Sequence, residues 1–87
     1  MKVNEKIIAK KIQGEMVLLN TESGDYFSLN SLGTEIFECI SKGMQSEDIT
    51  GLLFSKYNVE FHILENDVTS IISKMFEKNI LIKTQRK

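Results

Sequence analysis

Gly24-Asp25-Tyr26-Phe27-Ser28-Leu29-Asn30-Ser31-Leu32-Gly33 is the stretch in which the hydrophobic period of this chain changes. Before it, short apolar runs are separated by turn residues, the pattern of strands. After it, apolar residues recur every three to four positions, the pattern of helices. Gly24 is free to take a positive φ in the turn that ends the strand region. Asn30 is a good N-cap for the first helix.

Working back from this junction, Tyr26–Leu29 reads as a short third strand. Thr21-Glu22-Ser23-Gly24-Asp25 is the turn that leads into it. Met16-Val17-Leu18-Leu19 holds four consecutive apolar residues, as expected of a central strand covered on both faces. Gln13-Gly14 is a hairpin turn, and Ile7–Ile12 is a first strand with Ile8 and Ile12 on one face.

Working forward, a first helix is expected over about Ser31 to Lys42, ending at Gly43, with Leu32, Ile36, Phe37 and Ile40 as its apolar stripe. Gly33 on that side allows close backbone approach. A second helix starts at Ser46, where Glu47 and Asp48 suit the positive end of the dipole. Its stripe is Ile49, Leu52, Leu53 and Tyr57. A third runs from Glu60 or Phe61 to Lys78, with Asn79 as a left-handed terminator. Ile80-Leu81-Ile82 closes the apolar pattern, and 83–87 is a polar tail. Three strands followed by three helices predict an α+β domain resembling a winged helix-turn-helix, with a three-stranded antiparallel sheet first in sequence.

The chain has 87 residues, which predicts one domain over 1–87 with its core at about 6–82. A domain this small buries roughly 60–65% of the surface its unfolded chain exposes, leaving little room for a deep cleft. Eleven basic and twelve acidic residues give a net charge of −1, hence no broad positive field to attract phosphates or anionic lipid. One cysteine excludes an internal disulfide, and a reducing cytoplasm fits best. No apolar run suggests a signal peptide or approaches the ~20 residues of a membrane span.

The catalytic inventory is poor. Cys39 falls within the first helix's apolar arc and reads as a small buried hydrophobe. His62 lies outside the third helix's stripe and reads as a capping or solvated side chain. One His and one Cys cannot build a metal site of three or four ligands, and the five scattered glycines form no phosphate loop. No enzyme activity, metal or cofactor is expected. A winged-helix DNA-binding regulator is the alternative, but Glu60, Glu65 and Asp67 at the start of the third helix oppose phosphate, and the only arginine is Arg86 in the tail.

Peptide binding has two supports. In a simple meander the third strand has an open edge, and Tyr26–Leu29 carries none of the lysine or proline that normally blocks one. An extended peptide can add there, or a second copy of the chain can, giving a dimer instead of a monomer. The third helix's apolar face (Phe61, Leu64, Val68, Ile71, Ile72, Met75, Phe76) spans ~140° at 100° per residue, against the ~100° one core-facing side needs. The surplus lines a groove or completes a thin core.

The block from Leu18 to Asn30 followed by Gly33, with an Asp67-Val68 pair in the last helix and a closing Asn79-Ile80-Leu81, resembles the PqqD-like family over roughly residues 6–82. Asn79 departs from the family's usual glycine, and asparagine also tolerates the left-handed region. The resemblance implies a non-catalytic recognition element. It would bind the leader of a ribosomally synthesised precursor peptide as an added strand, between the third strand and the third helix. It would then serve a leader protease of lasso-peptide biosynthesis or a radical-SAM modifying enzyme. By the same resemblance Asp25, Tyr26, Phe27, Ser28 and Leu29 supply the strand edge, and Asp67, Val68, Ile71, Ile72 and Met75 line the helical wall. Which of Ile71 and Ile72 faces the groove is left open at this stage.

Overall fold

The computed structural model describes residues 1–84; the rest of the expected tail, with Arg86, lies outside the described residues. In chain order the elements are β1 (Lys2–Val3), β2 (Ile7–Ile12), β3 (Glu15–Asn20), β4 (Tyr26–Leu29), α1 (Ser31–Ser41), α2 (Ser46–Lys56), α3 (Phe61–Glu77) and β5 (Leu81–Ile82). β2, β3 and β4 form the expected antiparallel meander with β3 in the centre. This is the α+β, winged helix-turn-helix-like architecture, sheet first and three helices after it.

Gln13 and Gly14 both have positive φ, 51° and 85°, as a tight two-residue hairpin between β2 and β3 demands. The turn into β4 is organised by Asn20. Its side-chain oxygen accepts from the amides of Glu22 and Ser23 at 2.9 and 3.1 Å, and its carbonyl accepts from Gly24. Such side-chain-to-backbone bonds hold a turn without help from packing.

Asn30 caps α1, its side-chain oxygen accepting from the Gly33 amide at 2.8 Å. Thr34, one turn in, is buried, and its hydroxyl accepts from the Met16 amide (3.0 Å) and donates to the Leu29 carbonyl (3.3 Å). The hydroxyl thus joins β3, β4 and α1. A Cβ at position 33 would lie 3.3 Å from the capping oxygen and 3.4 Å from Leu29 Cβ, so the close approach at Gly33 is real.

α1 and α3 both end in a Schellman motif. In α1 the Gly43 amide donates to Ile40 and that of Met44 to Cys39. In α3 the Asn79 amide donates to Phe76 and that of Ile80 to Met75. Asn79 takes φ 60°, the left-handed conformation expected of it. The core beneath is a single cluster built on Leu18, Ile36, Ile49, Leu53, Val68 and Leu81.

The structure corrects three details. β1 pairs antiparallel with β5 (Lys2 with Ile82, Val3 with Leu81), a second small sheet that two-residue strands give no periodic sign of. On α2, Leu52 (44% exposed) and Tyr57 (37%) do not join the core, and Thr50 does. A helix of eleven residues packed on α1 and α3 needs only a narrow stripe. Phe61 also leaves the core and packs edge-on against Phe54, with ring centroids 5.2 Å apart.

α1 and α2 are tied at the surface by Glu35, whose carboxylate accepts from Lys56 and from the Tyr57 hydroxyl. The Lys56 ammonium first, and the Tyr57 hydroxyl second, hold the Glu35 carboxyl below its ordinary value of 4.5. A depressed carboxyl stabilises the fold above its unfolded pKa, and the gain is lost as pH falls through the folded one. Glu35→Gln is therefore expected to melt below the wild type at pH 7, and the gap to close progressively below pH 4.5, by circular dichroism melts across that range. For Thr34, removal of the hydroxyl in Thr34→Val is expected to cost about 1–3 kcal/mol in urea denaturation, with Thr34→Ser retaining most of the stability.

Candidate functional site

Antiparallel ladders alternate between residues that bond to the neighbouring strand and residues whose N–H and C=O point away. The Asn20 amide donates to the Asp25 carbonyl, and β4 pairs with β3 as Leu19–Tyr26, Leu18–Phe27, Val17–Ser28 and Met16–Leu29. The phase follows: Phe27 and Leu29 bond inward to β3, and the amides and carbonyls of Tyr26 and Ser28 point to the outer edge. Among the described residues no strand occupies that edge. The other sheet edge, β2, carries Lys10 and Lys11, the lysines that discourage pairing.

Side chains alternate as well. Phe27 and Leu29 are half-buried toward α3, while Tyr26 (71% exposed) and Ser28 point to the opposite face. Between β4 and α3 lies a cavity of 340 Å³. Phe27, Ser28 and Leu29 form its strand wall, and Asn30 and Gly33 its end at α1. Ile71, Lys74, Met75 and Lys78 form its helical wall, and Ile80 closes it below. The Schellman bond from Ile80 to Met75 brings those last two together at the floor.

Of the ten residues singled out from the sequence, five line this cavity: Phe27, Ser28, Leu29, Ile71 and Met75. Tyr26 contributes its backbone to the edge. Asp25 sits in the preceding turn, where it accepts from the Ser23 hydroxyl at 3.0 Å. Val68 is fully buried and Ile72 nearly so, both in the core behind the cavity. The open choice between Ile71 and Ile72 thus resolves: Ile71 lines the cavity and Ile72 packs the core. At 100° per residue, Leu64, Val68, Ile72 and Met75 form one stripe, and Asp67, Ile71, Lys74 and Lys78 a second stripe on its flank.

Asp67 borders a second, smaller cavity of 230 Å³ farther along α3, with Ser31, Leu32, Tyr57, Val59 and Ile63. The cavity-lining residues that the sequence did not assign to the site are Lys74, Lys78, Asn30, Gly33 and Ile80. The i, i+3, i+4, i+7 spacing of Ile71, Lys74, Met75 and Lys78 was the available signal for the two lysines.

Cys39 is buried, and burial pushes its thiol pKa up, away from the reactive thiolate. His62 is exposed, 3.4 Å from Glu65. Among the described residues no three His, Cys, Asp or Glu side chains converge to hold a metal ion, and no helix is long and apolar enough to cross a membrane.

The fold and this site define a small winged-helix-like domain with an open strand edge above an apolar groove. The chain belongs to the PqqD family: the family described as Coenzyme PQQ synthesis protein D (PqqD) matches residues 15–81. No curated protein matches. Two solved structures are similar over nearly the whole chain. TbiB1 in complex with the TbiA(beta) leader peptide has a TM-score of 0.91 at 26% identity, covering 99% of this chain and 100% of that one. A lasso peptide synthetase B1 complexed with the leader peptide has a TM-score of 0.87 at 26% identity, covering 94% and 96%.

The split between the two isoleucines is measurable by denaturation. Ile72→Ala is expected to lose about 2–5 kcal/mol, the range for truncation in a packed core. Ile71→Ala, which opens onto the cavity, is expected to lose less than half as much.

Proposed function

We propose that this protein binds the leader segment of a ribosomally synthesised precursor peptide as a fourth strand on β4, and presents it to a processing enzyme. The observation that carries this reading is the outward alternation of Tyr26 and Ser28 on an unblocked edge, directly above a groove walled by α3. Strand addition draws affinity from main-chain hydrogen bonds and selectivity from pockets for alternate side chains. The leader peptides in the two similar complexes support the same reading.

In this reading Tyr26 and Ser28 offer two amides and two carbonyls to the peptide, while Phe27, Leu29, Ile71 and Met75 receive its inward side chains. Asp67 meets the peptide where it leaves the cavity, Asp25 fixes the start of the strand, and Val68 and Ile72 support the helical wall from behind. The protein is not itself a catalyst. It raises the effective concentration of the precursor at a partner enzyme, converting a bimolecular encounter into a local one. A leader protease of lasso-peptide biosynthesis is the favoured partner, because both similar structures are leader complexes and one is a lasso peptide synthetase B1. The cytoplasm, where such precursors are made, is the proposed location.

Proline at position 28 tests the edge directly. It removes an amide that points outward and leaves the ladder to β3 intact, a placement that edge strands tolerate. Ser28→Pro is expected to fold, to keep a cooperative melt, and to bind the leader peptide of its precursor at least about tenfold more weakly, one lost backbone bond with its desolvated partner being worth that much. Ser28→Ala is expected to bind normally. Unchanged binding by a folded Ser28→Pro protein in calorimetric titration would contradict strand addition.

A further inference from the structure

The cavity wall carries two charges, and both are positive. Lys74 and Lys78 are its only ionisable lining residues, in a chain whose net charge is −1. Both are exposed, and among the described residues neither forms an ion pair, although Lys11, Lys56 and His62 all lie against carboxylates. The Lys78 ammonium lies 5.8 Å from the centre of the Phe27 ring, reaching across the groove toward β4. Lysines in a last helical turn also offset the helix dipole. That role does not require them on the groove flank, in line with Ile71.

The opposite end of the same flank is negative. Asp67 is seven residues before Lys74 and eleven before Lys78, about 10 and 16 Å at 1.5 Å per residue. An extended peptide advances about 3.3 Å per residue, so three to five of its residues cover that distance. This flank of α3 is therefore polarised along its length, with a cationic end at the cavity beside Phe27 and an anionic end at the second cavity, near Ser31.

We propose that the bound peptide is selected by charge as well as by strand pairing: it carries an Asp or Glu that sits over Lys74 and Lys78, beside the apolar side chains that enter the cavity. An acidic residue at the other end meets Asp67 and is rejected, which fixes the register. This rests on the strand-addition reading above and adds the chemical class of the ligand to it.

The test uses the full chain and a displayed library of random twelve-residue peptides, selected in parallel against the wild type and the Lys74→Glu/Lys78→Glu variant. Wild type is expected to enrich apolar-alternating peptides with Asp or Glu at one fixed offset, and the variant to enrich Lys or Arg there. Replacing that acid by Gln or Asn in a synthetic wild-type-selected peptide is expected to weaken binding about three- to thirtyfold at low salt, and less at high salt. A folded Lys74→Gln/Lys78→Gln protein, checked by its melt, is expected to lose the acid preference while keeping the apolar one. Amide NMR shifts separate the two claims. Selected peptides that perturb Tyr26 and Ser28 but show no acid preference, or the same one against the charge-reversed variant, overturn the charge claim alone. Peptides that leave those amides unmoved overturn both.

Discussion

The Thr34 hydroxyl takes one hydrogen bond from Met16 in the central strand and gives one to Leu29 at the end of β4, from a helix whose first turn is capped by Asn30. Three elements meet on this buried side chain. Because β4 is fixed to α1 at its C-terminal end and to the Asn20 turn at its N-terminal end, its four residues hold a set height above α3. The cavity exists because that height is fixed. A strand with one unoccupied edge is a poor element on its own, and here both of its ends are fastened by polar contacts that need no partner strand.

The lower boundary of the groove depends on the other end of the chain. The Schellman turn at Asn79 folds Ile80 back under Met75, and the Asn4 amide donates to the Ile80 carbonyl at 2.9 Å while its side chain donates to that of Asn79. β1 and β5 complete this clasp. The N-terminal residues therefore belong to the architecture of the site, although none of them lines it. The floor of the cavity and the termination of α3 are coupled through one residue, Ile80.

Much of this was legible in the sequence because it rests on local rules. The Gln13-Gly14 hairpin, the Gly24 turn, the Asn30 cap, the Gly43 and Asn79 terminators and the change of period near Asn30 all arise from backbone preferences of single residues. The open β4 edge was also legible, since it needs only strand order and the absence of lysine and proline from Tyr26–Leu29. What periodicity could not supply was depth. A ~140° arc on α3 counts apolar residues without saying which flank meets β4, so Val68 and Ile72 stood beside Ile71 until packing separated them. The lysines escaped for a related reason: as helix-end cations they had an adequate role already, and only the position of β4 puts them on a groove wall. The β1–β5 pair has too few residues to carry a pattern. Thr34 was hidden because a threonine inside a helix gives no sign of the carbonyl and amide it will bridge.

The alternation along β4 makes the central claim sharp at the level of single amides. Hydrogen exchange on the isotopically labelled protein, with and without a leader peptide that it binds, reads each of them. The account predicts that Tyr26 and Ser28 exchange fast in the free protein and become protected in the complex, while Phe27 and Leu29, bonded to β3, are protected in both. Protection that appears elsewhere with Tyr26 and Ser28 unchanged, or that appears at those two amides only with duplex DNA or on self-association, would contradict it.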